Sequence, residues 1–269
     1  LLPELLKAGK PIFIEKPLAG SVAMGERVLD AERQSGTFLM VGYHKRSDAA
    51  TARAVQEIAA LRASSALGRM RYVRIAMPPG DWIAGGFNEL IRSDLPRSAG
   101  GEDPVPQDMD ADLYKKYLAF VNYYIHQVNL MRHLLGESYT VRYADPTGVL
   151  LAGESAGGVA CAIEMGAYQT TVDWQESALV AFERGWLRLD LPAPLALNRP
   201  GALTVFADPG KGVAPQTVIP QFPWEHAMRR QAANFLRAVR GEMPPLTTAG
   251  EALEDLRVAR DYTRLRWGR

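Results

Sequence analysis

At the start of the chain, segments with the apolar periodicity of a helix alternate with segments that have the periodicity of a strand. The end of an amphipathic helix over 1–8 is followed by a short apolar strand over 11–14, a helix over 22–34 and a second strand over 38–42. A long helix is then predicted over 48–63, with the aspartate at its start as N-cap. This alternation is typical of a parallel sheet with crossover helices.

Beyond Gly68 the pattern changes, because predicted strands follow one another without helices between them. These strands cover 70–76, 157–165, 169–174, 178–183 and 186–191. The turn at Glu183, Arg184 and Gly185 predicts a hairpin between the last two. The pattern therefore predicts a mainly antiparallel sheet.

Two long helices, predicted over 110–135 and 224–240, are expected to cover one face of that sheet. Since an open sheet commonly buries its other face against a symmetric copy, we expect a homo-oligomer, a dimer or a tetramer. Residues 77–108 are rich in Gly, Pro, Ser and Asp and predict a long loop near a site. An amphipathic helix over 248–262 is expected to return to the first sheet.

The amino-acid composition limits the classes of molecule that the chain is expected to bind. The 31 Lys and Arg residues nearly balance the 30 Asp and Glu residues, so the net charge of +1 provides no field to hold nucleic acid. The single cysteine, Cys161, lies in an apolar strand and cannot form an internal disulfide, and no Cys/His cluster has zinc spacing, so no metal is predicted. No apolar run approaches the roughly 20 residues that span a bilayer, so no membrane partner is expected.

The first residue, Leu1, lies in the predicted helix end, so the chain is expected to begin within a fold. A cytoplasmic location is the expectation from the cysteine content, and a removed export signal stays open as an alternative.

The first candidate site residues directly follow the first strand. Glu15, Lys16 and Pro17 occupy the position where open α/β sheets present ligand-binding groups. The ammonium of Lys16 could hold a substrate hydroxyl and stabilise a developing alkoxide. The alternative is a solvated lysine at a strand end.

A polar stripe runs along the predicted helix over 110–135. Asn122, His126, Asn129 and His133 are spaced by four, three and four residues, which places them on one helical face between apolar flanks. His126 is the natural general acid or base, because its unperturbed pKa of about 6.5 lies near neutrality. The alternative is an internal hydrogen-bond network, since an unpaired buried polar group costs about 1–3 kcal/mol.

Two further motifs are weaker. His44, Lys45 and Arg46 follow the second strand, and His44 is a candidate contact, although such a basic turn is more often solvated. The glycine-rich run over 153–158 precedes a strand and opens no helix, so it predicts a turn and not a phosphate loop.

Four ordered segments resemble the Gfo/Idh/MocA oxidoreductases. The sequence K-P-I-F-I-E-K-P-L-A over 10–19 resembles the family's E-K-P segment, and 41–46 resembles its G-(F/Y)-x-x-R turn. His126 with 134–136 resembles the H-x-x-(D/N)-L-x-x-x-L-x-G helix, and 235–256 is similar to the closing segment.

The resemblance implies an α/β (α+β) protein with two domains. The remnant of a Rossmann-type parallel sheet would occupy 1–46, with 246–264 returning to pack on it. The substrate-binding and oligomerisation domain would occupy 47–245 and carry an open, mainly antiparallel sheet covered by helices on one face.

The implied activity is hydride transfer between NAD or NADP and a carbinol carbon of a sugar, polyol or related hydroxy compound. Lys16 would contact substrate and nicotinamide, and His126 would move the hydroxyl proton. The backbone of Glu15 to Pro17 would line the nicotinamide ribose. Asn122, Tyr123 and His44 are assigned to the substrate.

Two departures from the family pattern bear on the chemistry. The frequent acidic residue four positions before the histidine is here Asn122, which cannot take a proton. No G-x-G-x-x-G follows a strand, so the phosphate-binding segment is expected to be missing and the choice between NAD and NADP cannot be read. The alternatives are a non-catalytic oligomerising or sugar-binding module, and redox-assisted lyase or hydrolase chemistry on a glycoside.

Overall fold

A small parallel sheet stands at the start of the chain, in a computed structural model that describes residues 1–86, 93–96, 104–166, 168–210 and 212–268. Its strands are β1 (Ile12–Glu15) and β2 (Leu39–Gly42), which follow the helices α1 (Leu2–Leu6) and α2 (Val22–Ser35). The predicted strand–helix–strand unit is confirmed. Since Glu15 pairs with Gly42, both strands end at the same edge, and the residues after them emerge side by side.

The chain continues from β2 through a short 3-10 helix, His44–Ser47, into α3 (Ala49–Ser64). The Asp48 carboxylate accepts hydrogen bonds from the backbone N–H groups of Ala50 at 2.8 Å and Thr51 at 3.2 Å, which confirms it as the N-cap. Its other oxygen accepts from the N–H of Gly201 at 2.8 Å, which ties the start of α3 to the larger sheet.

The larger sheet has eight strands among the described residues. They are β3 (Met70–Ala76), β4 (Tyr139–Ala144), β5 (Leu150–Ser155), β6 (Ala160–Glu164), β7 (Ser177–Phe182), β8 (Gly185–Asp190), β9 (Ala202–Ala207) and β10 (Gln216–Val218). Their order is β10-β9-β8-β7-β3-β6-β5-β4, and every neighbouring pair is antiparallel except β3 with β6. The predicted fold class is confirmed, as is the hairpin between β7 and β8.

The strand predicted over 169–174 is wrong. The backbone N–H of Thr170 donates to the carbonyl of Pro79, and that of Asp81 donates to the carbonyl of Asp173. The segment therefore bonds to the loop after β3 and not to a strand ladder. The strands β4, β5, β9 and β10 were not predicted, and the run over 153–158 is a turn only in its second half, since its first three residues complete β5.

The helices over one face of the sheet are α3, α4 (Ala111–Leu135) and α6 (Ala249–Trp267). The helix predicted over 224–240 exists as α5 (Ala227–Val239), but its expected place on the sheet is wrong. It packs against the 3-10 helix, and the Phe235 ring lies 5.6 Å from that of Phe13 and 6.2 Å from that of Phe38. Aromatic contacts with the first sheet thus take the place of contacts with the second.

The terminal helix α6 returns to the first sheet, as predicted. A capping box of Thr248 and Glu251 starts it, and the backbone N–H of Val41 in β2 donates to the carbonyl of Thr247 at 3.0 Å. A Cβ on Gly25 of α2 would stand 2.9 Å from the Leu253 side chain, so glycine permits the close approach of α2 and α6. The division into domains near residue 46 stays a prediction.

Within the predicted loop over 77–108, residues 87–92 and 97–103 lie outside the described part of the chain. Residues 77–86 form neither helix nor strand. Of the helices that the structure describes, none has the length and apolar character needed to cross a bilayer.

Candidate active site

A pocket of about 290 Å³ opens where β1 and β2 end and α4 passes over them. Its lining consists of Glu15, Lys16, His44, Lys45, Met77, Trp82, Asn122, Tyr123, His126, Gln127, Trp174, Pro194 and Met228. The structure thus brings together Glu15, Lys16, His44, Asn122, Tyr123 and His126. Pro17 lies next to the lining and does not belong to it, and Arg46, Asn129 and His133 also lie outside it. The edge of a parallel sheet where both strands end is where such crevices form.

Lys16 connects the first sheet to α4. Its Nζ donates to the backbone carbonyl of Asn122 at 2.8 Å, one turn before His126. Burial lowers the pKa of Lys16, and burial raises the pKa of the neighbouring Glu15 carboxyl. The ammonium is partly buried, lies in the pocket lining and has a fixed acceptor, which favours a role in the site over a freely solvated lysine.

His126 lies mid-way along α4 with its ring among other rings. Ring centroids lie 5.7 Å away for Tyr43 and 4.6 Å away for His44, both edge-on. Its Nδ1 atom is buried and has no hydrogen-bond partner among the described residues. Burial, with His44 and two lysines nearby, lowers the pKa of His126 well below its ordinary value of 6.5, so the ring is neutral at pH 7.

The basic run after β2 is buried. His44, Lys45 and Arg46 are 6%, 4% and 5% exposed, so the expectation of a solvated turn is wrong for all three. The 3-10 helix packs against α5 and α4, which covers the run on both sides. Burial and the Lys45 charge lower the pKa of His44 well below 6.5.

Lys45, a weak candidate from the sequence, forms a cluster with partners that the sequence did not nominate. Its Nζ makes a buried ion pair with Glu176, whose other oxygen accepts from the Gln127 amide at 2.7 Å. The ammonium also lies 5.8 Å from the centre of the Trp174 ring. The one available signal was the position of Lys45 beside His44, since Glu176 is distant in sequence.

Comparison with known proteins agrees with this architecture. Residues 1–43 match the model of the Gfo/Idh/MocA family, described as an oxidoreductase family with an NAD-binding Rossmann fold. A solved aldose-aldose oxidoreductase from Caulobacter crescentus, complexed with glycerol, is 20% identical with a TM-score of 0.64, over 100% of this chain and 73% of that one. Residues 1–43 therefore resemble the Gfo/Idh/MocA oxidoreductases, and the chain shares its fold with the solved oxidoreductase.

Two other solved structures share this fold. A putative myo-inositol dehydrogenase from Sinorhizobium meliloti is 18% identical with a TM-score of 0.61, over 98% of this chain and 74% of that one. An oxidoreductase from Agrobacterium radiobacter, in complex with NAD+, L-tartaric acid and magnesium, is 14% identical with a TM-score of 0.60, over 99% and 75%. No curated protein sequence matches the chain.

The polar stripe on α4 divides between two environments. Asn122 and His126 face the pocket, whereas Asn129 bridges the guanidinium of Arg46 at 2.8 Å and the carboxylate of Asp255 at 2.6 Å. Burial lowers the pKa of His133 to about 3, away from the pocket. The alternative of an internal hydrogen-bond network is therefore confirmed for Asn129.

The residues at the strand ends fit the nicotinamide end of a dinucleotide. Ribose hydroxyls and the carboxamide need both donors and acceptors, and Lys16 and Glu15 offer them at one edge of the pocket. A Cβ on Gly42 would lie 3.0 Å from the carbonyl oxygen of Ile14, so glycine keeps the two strand ends close together there. Across the described ranges, no group of three or more His, Cys, Asp or Glu residues could hold a metal ion.

Cys161 is buried in β6, and burial raises the pKa of its thiol to about 12. A thiol in that state is not a nucleophile at neutral pH, in agreement with the packing role read from the sequence.

Proposed function

We propose that the protein is an NAD(P)-dependent oxidoreductase that transfers hydride between the nicotinamide and a carbinol carbon of a sugar, polyol or related hydroxy compound. The observation that carries the proposal is a single small pocket in which the lysine after β1 and the neutral histidine of α4 both present their side chains. The neighbours that share the fold include a putative myo-inositol dehydrogenase and an aldose-aldose oxidoreductase bound to glycerol.

The chain's own groups divide the work of alcohol oxidation. The Lys16 ammonium donates to the substrate oxygen and stabilises the negative charge that develops there. The neutral ring of His126 accepts the hydroxyl proton. The nicotinamide, when bound, accepts the hydride.

The remaining polar groups of the pocket orient the substrate. Asn122 cannot take a proton and positions hydroxyls through its amide, and Tyr123 is held by the backbone N–H of Gly80, which donates to its hydroxyl at 3.3 Å. His44 adds a second imidazole next to His126. The side chains of Met77 and Met228 in the lining exclude water from the reacting centre.

Fluorescence titration of the protein with NADH and NADPH tests the proposal. We expect saturable binding of a dinucleotide and NADH or NADPH formation with a polyol such as glycerol or myo-inositol. Lys16→Met should lower kcat/KM about 10- to 100-fold, the loss of one hydrogen bond to a charged group. Lys10→Met is the matched control, because Lys10 is exposed and lies outside the pocket.

If neither dinucleotide binds, the non-catalytic module becomes the better candidate, and Asn122 is the observation that favours it. Such a module would bind polyol without forming reduced cofactor. Substrate turnover with no net reduced cofactor would instead favour lyase or hydrolase chemistry on a glycoside.

We also propose that the protein is a homo-oligomer through the face of the large sheet opposite α4. The rings of Trp186 and Phe206 stack there at 5.8 Å beside Leu179 and Ala181, in a depression open to solvent. A second copy would bury this apolar surface. The mass of the oligomer in solution gives the number of copies.

Light scattering on Trp186→Glu tests the oligomer. We expect the wild type to elute as a dimer or tetramer and the variant as a monomer, because a carboxylate buried at the interface without a partner costs several kcal/mol. Trp224→Glu is the matched control, since Trp224 is 86% exposed and lies outside this depression. A monomeric wild type would contradict the proposal.

A further inference from the structure

Two of the four histidines in the chain, His44 and His126, line the active-site pocket, and a third, His226, lines a cavity next to it. His44 lines the pocket beside His126 and also lines a second, small cavity that His226 borders from the start of α5. The ring of His44 thus forms part of the wall between the two spaces. The fourth histidine, His133, lies elsewhere on α4.

The second cavity has the size and chemistry of a water site. Its volume is about 20 Å³, above the roughly 10–15 Å³ that one water molecule requires. Its polar lining comes from His44, Lys45, Asp48, Arg199 and His226. The Nε2 atom of His226 lies 2.9 Å from the carbonyl oxygen of Pro194, so this ring is held in place at the far side.

Proton release from His126 needs an acceptor within the protein. A ring whose pKa is lowered by burial gives up a proton readily once charged, yet the described surroundings offer its Nδ1 atom no fixed partner. The Lys16 and Lys45 ammonium groups cannot accept a proton, and Asn122 has no titratable group. An imidazole can both accept and donate a proton, and the ring centre of His44 lies 4.6 Å from that of His126.

We propose that His44 relays the substrate proton from His126 to a water molecule in the second cavity, beside His226. The inference rests on the proposed function, since the proton comes from the oxidised alcohol. The O–H bond of the substrate breaks as His126 takes the proton, and the hydride leaves the carbon for the nicotinamide of NAD(P)+. His126 then passes its proton to His44, which releases one to the cavity water, so the ring pair returns to its neutral form.

Several charged groups face this pair from the surrounding elements. They are Glu15 and Lys16 at the end of β1, Lys45 and Asp48 around the 3-10 helix, Glu176 before β7, Arg199 before β9 and His226 before α5. Glu176 is paired with Lys45, and the Asp48 carboxylate accepts three backbone hydrogen bonds. The positive charges among these groups destabilise a protonated ring, so a proton stays only briefly on His126 or His44.

Proton exchange at His126 tests the relay without substrate or cofactor. In the complete protein labelled with ¹⁵N-histidine, NMR measures the exchange rate between the ring N–H of His126 and water. We expect His44→Asn to slow this exchange at least about tenfold and His226→Asn to slow it less. His133→Asn is the matched control and should leave the rate unchanged.

Unchanged or faster exchange in His44→Asn would overturn the relay. Thermal denaturation of each variant checks folding, and His44→Gln provides a second test if the asparagine variant is unstable. Because no turnover is needed, this result is independent of whether a polyol reduces the cofactor.

Kinetics separates a relay from a plain substrate contact. If the complete protein oxidises a polyol, His44→Asn should lower kcat about tenfold or more, raise the solvent isotope effect and leave KM within about twofold. Its kcat should also depend more steeply on pH than that of the wild type. A raised KM with unchanged kcat would overturn the relay and make His44 a binding residue only.

Discussion

Replacing His126 by alanine is expected to lower turnover about 10²- to 10⁴-fold, because the reaction then loses its positioned proton acceptor. The measurement is the steady-state rate of NADH or NADPH formation by the complete protein with its best polyol substrate. His133→Ala is the control, since it removes the same side chain from the same helix at a site away from the pocket. Unchanged turnover in His126→Ala would remove this residue from the mechanism.

The pH dependence of alcohol oxidation should report on the protonation state of His126. Burial lowers the pKa of His126 well below 6.5, so its neutral, proton-accepting form is lost only when the pH falls well below that value. We therefore expect kcat/KM to stay level as the pH falls from neutrality through 6.5. A decline centred at 6.5 that depends on His126 would show that the ring is solvated in the working enzyme.

Replacing Asp255 by alanine is expected to lower the free energy of unfolding by about 3–5 kcal/mol, because it leaves the buried guanidinium of Arg132 with only one of its two carboxylate partners, Glu251. Asp255 is fully buried, and its carboxylate accepts from the Arg132 Nε at 3.0 Å and Nη2 at 3.1 Å, and from the Asn129 amide at 2.6 Å. Loss of the Asp255 carboxylate should also affect the pocket. Asn129, which donates to Asp255, also accepts from Arg46 of the 3-10 helix.

Urea denaturation followed by tryptophan fluorescence measures this loss. Asp261→Ala on the same helix is the control, because Asp261 is exposed and its ion pair with the adjacent Arg260 should contribute less than about 1 kcal/mol. A loss for Asp255→Ala no larger than that of the control would show that water solvates Arg132 in the variant.

Local periodicity was enough to predict the parts of the fold that depend on neighbours in sequence. The β1–α2–β2 unit, the Asp48 cap and the β7–β8 hairpin follow from patterns within about 15 residues. The segment over 169–174 alternates like a strand, but its backbone bonds to residues 79 and 81, which no local pattern reveals.

The candidate site shows the same limit. Lys16 and His126 stand out because one follows a strand and the other lies in a polar helical stripe. The burial of the basic run after β2 could not be predicted from the sequence. Lys45 pairs with a residue 131 positions away, and Arg46 hydrogen-bonds to one 83 positions away. A buried charge resembles a solvated one until its partner is known.

The parallel pairing of β3 with β6 divides the large sheet into two meanders, β4 to β6 and β7 to β10, that meet only at β3. The second meander carries Glu176 and Pro194 just beyond its strand ends, at the pocket, whereas β4 of the first packs against α6. Loops of one meander can therefore change length or composition without altering the hydrogen-bonded register of the other. A lineage can adapt the pocket to new substrates through the segments over 165–176 and 191–201 while the half of the sheet beside α6 keeps its sequence.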